Sequence, residues 1–193
     1  LLSNISSDLY VIQEKKNFLQ SHSSKKVSSI SDIRKEYFSK VEEAEKKIFG
    51  SDVKLNEKIK EIMTIELGEL NKTDLNKLNT FFKSDIYIVF GSSFLKGELV
   101  KFLIKKKAIN IHMGLSPYYR GTDCNFWALY DDNPHLAGST IHLLSKGLDN
   151  GPMLYHAMSN LKTNSFEYTM STVKSAFHSI AERIKDGSIF KIK

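Results

Sequence analysis

Between Lys72 and His112 the chain alternates short apolar runs with amphipathic stretches, a rhythm that builds a sheet of parallel strands with helical crossovers. Thr73 and Asp74 supply a capping pair ahead of a helix carrying Leu75, Leu78, Phe81 and Phe82. Asp85-Ile-Tyr-Ile-Val-Phe90 reads as a buried strand, 97–104 as the next helix, and Ile109–His112 as the next strand. Further on, 136–144 and 153–158 give two β segments, and 165–186 gives a last helix with Tyr168, Met170, Val173, Phe177, Ile180 and Ile184 among its apolar positions. The expected class is α/β, a mostly parallel sheet flanked by helices, whose ligands collect at the carboxyl ends of the strands.

The first third is less regular. Asp8-Leu-Tyr-Val-Ile-Gln13 reads as a short buried strand preceded by Leu1-Leu2, the tail of a helix. The run 21–31, rich in Ser and Lys, reads as a mobile loop. Ser31-Asp32 then opens an amphipathic helix to about Phe49 with Ile33, Tyr37, Val41, Ala44 and Ile48 on one face, and 59–67 contains an edge strand. A chain of 193 residues with 41% apolar content buries one substantial core, so a single domain over 1–193 is expected.

The chemistry is concentrated where the strand Ile109–His112 runs into the turn at 114–121. Residues i and i+2 of a strand face the same side, so Asn110 and His112 point into one small volume while Ile109 and Ile111 pack the other face. The glycine-flanked loop Gly147-Leu-Asp-Asn-Gly-Pro152 can return the carboxylate of Asp149 to that imidazole. A carboxylate bonded to one ring nitrogen fixes the tautomer and favours the protonated ring, and Asn110 offers an N–H to an oxygen that becomes negative in a tetrahedral intermediate. The set suits acyl transfer to an external nucleophile. No Ser or Cys belongs to it, which favours direct attack by the acceptor over an acyl-enzyme. Taken singly, each of these residues is ordinary: Asn110 a bulge or cap, Asp149, Gly147 and Gly151 turn formers, Phe94 a core side chain. Their joint spacing is what points to a site.

Three motifs, Asn110-Ile-His112, Leu115-Ser-Pro-Tyr-Tyr-Arg-Gly121 and Gly147-Leu-Asp-Asn-Gly-Pro152, resemble those of the formyltransferase family, over roughly 72–187 of this chain. Asn125-Phe-Trp-Ala-Leu-Tyr130 and Gly138-Ser-Thr-Ile-His-Leu-Leu144 look like the helix and strand that separate the motifs there. The resemblance implies a Rossmann-like formyltransferase fold and transfer of a formyl group from 10-formyltetrahydrofolate to a primary amine. It assigns catalysis to Asn110, His112 and Asp149: the first two steady the oxyanion, and the third assists proton transfer through His112 or a water. It places the folate against the loop Gly91-Ser92-Ser93-Phe94-Leu95 and against Gly147 and Leu148, with loop amides and Phe94 holding the pterin. Members usually begin with a strand and helix, and a glycine loop for the acceptor, ahead of the point where this chain starts, so those elements are expected to be missing here. The β-barrel domain of members acting on methionyl-tRNA has no counterpart in these residues. The wording Gly114-Leu-Ser-Pro-Tyr-Tyr-Arg-Gly121 looks like that of surface-polysaccharide relatives, which favours a nucleotide-linked amino sugar over glycinamide ribonucleotide or methionyl-tRNA.

Charge and cysteine usage are consistent with this. The net charge of +6 is spread over Lys pairs with acidic neighbours, a solvated surface that also suits a phosphate-bearing acceptor. A nucleic-acid partner needs a clustered basic face with exposed aromatics, whereas Tyr118, Tyr119 and Trp127 read as core or pocket wall. A metal hydrolase built on His112, His135, His142 and His156 lacks ligand-pair spacing and accompanying carboxylates, so no metal ligand is assigned. A catalytically silent ligand-binding relative is the other alternative, and a homo-oligomer stays open. The single Cys124 allows no internal disulfide and fits the cytoplasm, and no apolar run reaches the eighteen or so residues of a membrane span.

Overall fold

The structure is a computed structural model that describes residues 2, 5–15, 29–51 and 57–191. Strands β1 (Leu9–Lys15) and β2 (Ile59–Glu66) form one parallel pair. Strands β3 (Ile88–Phe90), β4 (Ile109–His112), β5 (Ser139–Leu143) and β6 (Met153–Ala157) form a four-stranded sheet in that order. β3 and β4 run parallel through the crossover helix α2 (Gly97–Lys105), while β4/β5 and β5/β6 are antiparallel. The α/β class therefore holds, with parallel pairing up to β4 and a hairpin-like return beyond it, where only the loop 144–152 joins β5 to β6.

Two cores sit against these sheets. Tyr10 and Ile12 of β1 and Met63 and Ile65 of β2 pack on Leu78, Phe81, Leu99, Val100 and Leu103, which places α2 over both sheets. On the other side Ile109, Ile111 and Ile141 meet Ala176 and Ile180 of α4 (Ser165–Lys185). Helix α4 starts at an Asn164 cap whose side chain accepts the Glu167 N–H. β1 and β3 belong to different sheets, and a side chain joins them: the Glu14 carboxylate accepts from Ser93 N–H at 2.7 Å, Ser93 Oγ at 2.8 Å and Gly68 N–H at 2.8 Å.

Several expectations are corrected. The segment after Thr73 is no α-helix but two 3-10 turns, Leu75–Leu78 and Phe81–Lys83, preceded by another at Glu69–Lys72. Asp74 caps Leu75–Leu78 by accepting the Asn76 N–H, and the Asn- and Thr-rich wording offers the backbone local side-chain bonds that compete with a longer helix. Helix α1 (Ser29–Phe49) begins before Ser31, so residues 29–31 are helical, while Leu1 and the loop positions 21–28 lie outside the described residues. Ile33 is 75% exposed rather than on the packed face, because contact with α4 runs through Tyr37 on Phe166, Lys47 on Glu167 and Lys174 on the Ile48 carbonyl. Trp127 and Tyr118 are exposed as well. Trp127 stands edge-on to Phe126 and Tyr130 on the outer face of α3 (Cys124–Tyr130) instead of lining the core.

Candidate active site

β4 delivers Asn110 and His112 to one face, and β5 sets Thr140 opposite His112 and His142 opposite Asn110. Thr140, fully buried, accepts the Ser116 N–H at 2.9 Å and donates to the Gly114 carbonyl at 2.6 Å, so the chain turns sharply just past His112. A Cβ on Gly114 would lie 2.5 Å from Cys124 Cβ and 2.6 Å from His112 Nε2, which is why the turn has glycine there. The turn continues to Gly121, whose φ of 95° suits glycine and whose N–H donates to Asp149 Oδ2 at 3.0 Å.

Asp149 is the hub. Its backbone is left-handed at φ 45°, a conformation in which Asp is among the tolerated residues. His112 Nδ1 lies 3.3 Å from Oδ2, Asn110 Nδ2–H donates to Oδ1 at 3.3 Å, and His142 Nε2 stands 3.7 Å from Oδ1. Burial opposes its ionisation, but the His142 and His112 rings and the Gly121 N–H outweigh that, and the carboxyl is held below the usual aspartate range. The carboxylate is therefore charged at neutral pH. The structure thus brings Asn110, His112 and Asp149 together.

The network also assigns tautomers. His142 Nδ1 sits 2.8 Å from the Leu143 carbonyl and so carries a hydrogen, leaving Nε2 to accept from Asn110 Nδ2 at 2.9 Å. His112 Nε2 donates to the Tyr119 carbonyl at 3.0 Å, and Nδ1 faces Asp149 Oδ2 at 3.3 Å. Both N–H groups of Asn110 are engaged in this arrangement, a difference from the free donor read in the sequence. His142, which the sequence offered only as an unconvincing metal ligand, is the residue that was missed. Its signal was the spacing of Thr140 and His142, two apart and so on one face of the strand.

Cys124 is buried next to Gly114, but its thiol is pushed up to about 11 by burial and then by the charges of Asp149 and Asp123. A thiol that stays protonated at neutral pH is a poor nucleophile, in keeping with direct transfer.

The loop expected to hold a folate follows β3. Gly91 takes φ 59° and faces open space, Ser92 is exposed, and Phe94 is 54% exposed. Two of the assigned positions are otherwise committed. The Ser93 amide and hydroxyl are both given to Glu14, and the Leu95 side chain lies in the core. Asn71 staples the far side of the loop by donating to the Phe94 carbonyl at 2.9 Å and accepting the Lys96 N–H at 2.8 Å. Across from it, Gly147 packs on the Asn150 amide and Leu148 is 55% exposed, beside Gly121. Glu14 is a second residue the sequence reading missed, one position beyond the strand it drew. Glu14→Ala is expected to weaken folate binding about tenfold and to cost about 1 kcal/mol of stability, because it orphans the half-buried donors of Ser93 in the loop and of Gly68 beside it. Calorimetry and thermal melts check both numbers, and an unchanged affinity would free the loop from this clamp.

A family profile described as formyl transferase matches residues 11–184, so the chain belongs to the formyl transferase family, enzymes that move a formyl group. A methionyl-tRNA formyltransferase of Thermosynechococcus vestitus is 35% identical over 71 residues, 37% of this chain and 21% of that protein, so the match spans about a fifth of that relative. Two crystal structures share the fold. Phosphoribosylglycinamide formyltransferase from Anaplasma phagocytophilum matches with TM-score 0.53 and 17% identity over 93% of this chain and 85% of that one. The formyltransferase PseJ from Anoxybacillus kamchatkensis, in complex with UDP-4,6-dideoxy-4-formamido-L-AltNAc and tetrahydrofolate, matches with TM-score 0.54 and 18% identity over 95% of this chain and 78% of that one.

Proposed function

We propose that the chain transfers the formyl group of 10-formyltetrahydrofolate to the primary amine of a small acceptor, a nucleotide-linked amino sugar. The observation that carries this reading is the Asp149 hub, an ionised, mostly buried carboxylate that faces His112 and accepts from Asn110 and Gly121. The donor supplies an electrophilic carbonyl carbon, and Phe94, Gly91, Gly147 and Leu148 hold its ring. The acceptor amine attacks that carbon, Asp149 takes the amine proton, directly or through a water, and shares it with His112 Nδ1, and as the carbonyl re-forms the bond from that carbon to N10 of the donor breaks and the proton passes to N10, releasing tetrahydrofolate. The Asn110 N–H held at 3.3 Å by Asp149 is the weaker of its two bonds and turns toward the developing oxyanion. His142 keeps the amide oriented through the other.

Asn110→Ala is expected to slow transfer by about 100- to 1000-fold, the scale of a lost oxyanion donor. A rate unchanged within about twofold would remove Asn110 from the mechanism. The acceptor class is supported by the 114–121 wording. Transfer assays with a UDP-linked amino sugar, glycinamide ribonucleotide and methionyl-tRNA as competing acceptors test it. The sugar nucleotide is expected to give the highest kcat/KM, and a preference for either other acceptor would overturn that choice.

A further inference from the structure

A cavity of ≈ 380 Å³ opens beside α4, where the end of α1 and the segment between β6 and α4 meet that helix, and it shares no residue with the Asp149 site. Helix α4 lines it with Ser171, Lys174, Ser175 and His178, spaced i, i+3, i+4 and i+7 and so on one face. Ala176 and Ile180 take the opposite face into the core against β4. Ile48 of α1 forms one wall, Lys162 comes from the segment ahead of α4, and no carboxylate belongs to the lining. The hydroxyls of α4 divide into two groups. Thr169, Thr172 and Ser179 donate back to the carbonyls of Ser165, Thr169 and Ala176 in their own helix. Ser171 and Ser175, half-buried at the cavity, have no hydrogen-bond partner for their side chains among the described residues, and neither do Lys162 and His178. Lys174 gives one of its N–H groups to the Ile48 carbonyl at 2.7 Å, which holds its ammonium at the end of α1 and leaves the other donors free.

Lysine ammonium groups, unspent hydroxyls and an imidazole around one space make a set of donors with positive charge and no counter-charge. Such a set suits an anion whose acceptor oxygens point several ways. A phosphate ester carries three strong acceptor oxygens around one centre, whereas a carboxylate offers only two in a plane and would leave more of these donors unused. Ser171 and Ser175 stand one helical turn apart with Lys174 between them, a cradle for those oxygens. The lining also restricts what the phosphate is attached to. Ile48 is its one aliphatic side chain, and no Phe, Tyr or Trp is present on which a nucleobase would stack, so a small hydroxylated body fits best. We infer that this cavity is a binding site for the phosphate ester of a small polyol, such as a sugar monophosphate, separate from the formyl-transfer site and independent of the function proposed for it. The bound ester bridges α1, α4 and the segment between β6 and α4, and so stabilises the folded chain by mass action. Lys162 and Lys174 are exposed, so binding is modest and weakens as ionic strength rises.

The test is calorimetric titration with glucose 6-phosphate, glucose, inorganic phosphate and UDP. It is run on the parent chain and on two double variants, Ser171→Ala/Ser175→Ala and Lys162→Gln/Ser175→Ala, with thermal melts to show that each is folded. Glucose 6-phosphate is expected to bind the parent chain with a Kd of about 1 mM or below and to raise its Tm. Each double variant is expected to weaken that binding about tenfold or more, the scale of lost hydrogen bonds to a charged group. Glucose is expected not to bind, and inorganic phosphate to bind about threefold or more weakly than the ester. No saturable binding of glucose 6-phosphate, or binding that both double variants keep unchanged, would overturn the proposal. So would inorganic phosphate bound as tightly as the ester, or UDP bound more tightly than it and lost in the same variants, since the cavity would then take a free phosphate or a nucleotide.

Discussion

Asp149→Asn is expected to cut formyl transfer by about a thousandfold or more while leaving folate affinity within about twofold. The variant keeps the shape of the side chain and loses two things. The first is the charge that receives the amine proton. The second is acceptor capacity: the carboxylate takes bonds from Gly121 N–H and Asn110 Nδ2–H, and an amide must turn its NH2 toward one of these donors. A rate near that of the parent chain would show that the proton leaves by another route.

The same variant carries a pH signature. Because the Asp149 carboxyl is held below its ordinary value in the folded chain, its contribution to stability is present above the unfolded pKa. It is lost as pH falls through the lower folded value. Acid melts of the parent chain are therefore expected to show a loss of stability below about pH 4 that is smaller in Asp149→Asn. Parallel acid profiles for the two proteins would mean that the carboxyl is not depressed.

The second large effect is expected at Gly151. A Cβ there would come within 1.8 Å of the Leu143 carbonyl oxygen and 3.0 Å of His142 Nδ1. The obstacle is backbone of the neighbouring strand, which moves only if the β5/β6 connection moves. Gly151→Ala is expected to destabilise by about 3 kcal/mol and to lower Tm by about 6–12 °C. It is also expected to reduce transfer, because the displaced loop carries Asp149 and the struck ring orients Asn110. A cost under about 1 kcal/mol with full activity would mean that this loop does not lie against β5 as closely as described.

The site was easier to read from the sequence than the frame around it, for physical reasons. The strand period puts Asn110 and His112 on one face whatever the sheet does, and the glycines on either side of Asp149 let its loop turn back toward that strand. Strand pairing direction is different: β5 and β6 are half-apolar segments whose antiparallel return depends on the tight packing of Gly151 on Leu143, which no periodicity reports. The 3-10 turns after Thr73 and the exposure of Ile33 failed in another way. Apolar spacing proposes a helix or a buried face, and local side-chain bonding or the reach of the partner helix decides the outcome. His142 and Glu14 were hidden because each acts across strands, through contacts 32 and 79 residues apart in sequence.

The measurement that bears most directly on the central claim is calorimetric titration of the chain with 5-formyltetrahydrofolate, a stable stand-in for the donor, repeated with Phe94→Ala and His112→Ala. The account predicts binding at about micromolar Kd, weakened about tenfold by Phe94→Ala and little changed by His112→Ala, because Phe94 holds the ring and His112 acts on the reaction. No binding, or binding indifferent to Phe94→Ala, would contradict the placement of a one-carbon donor between these loops.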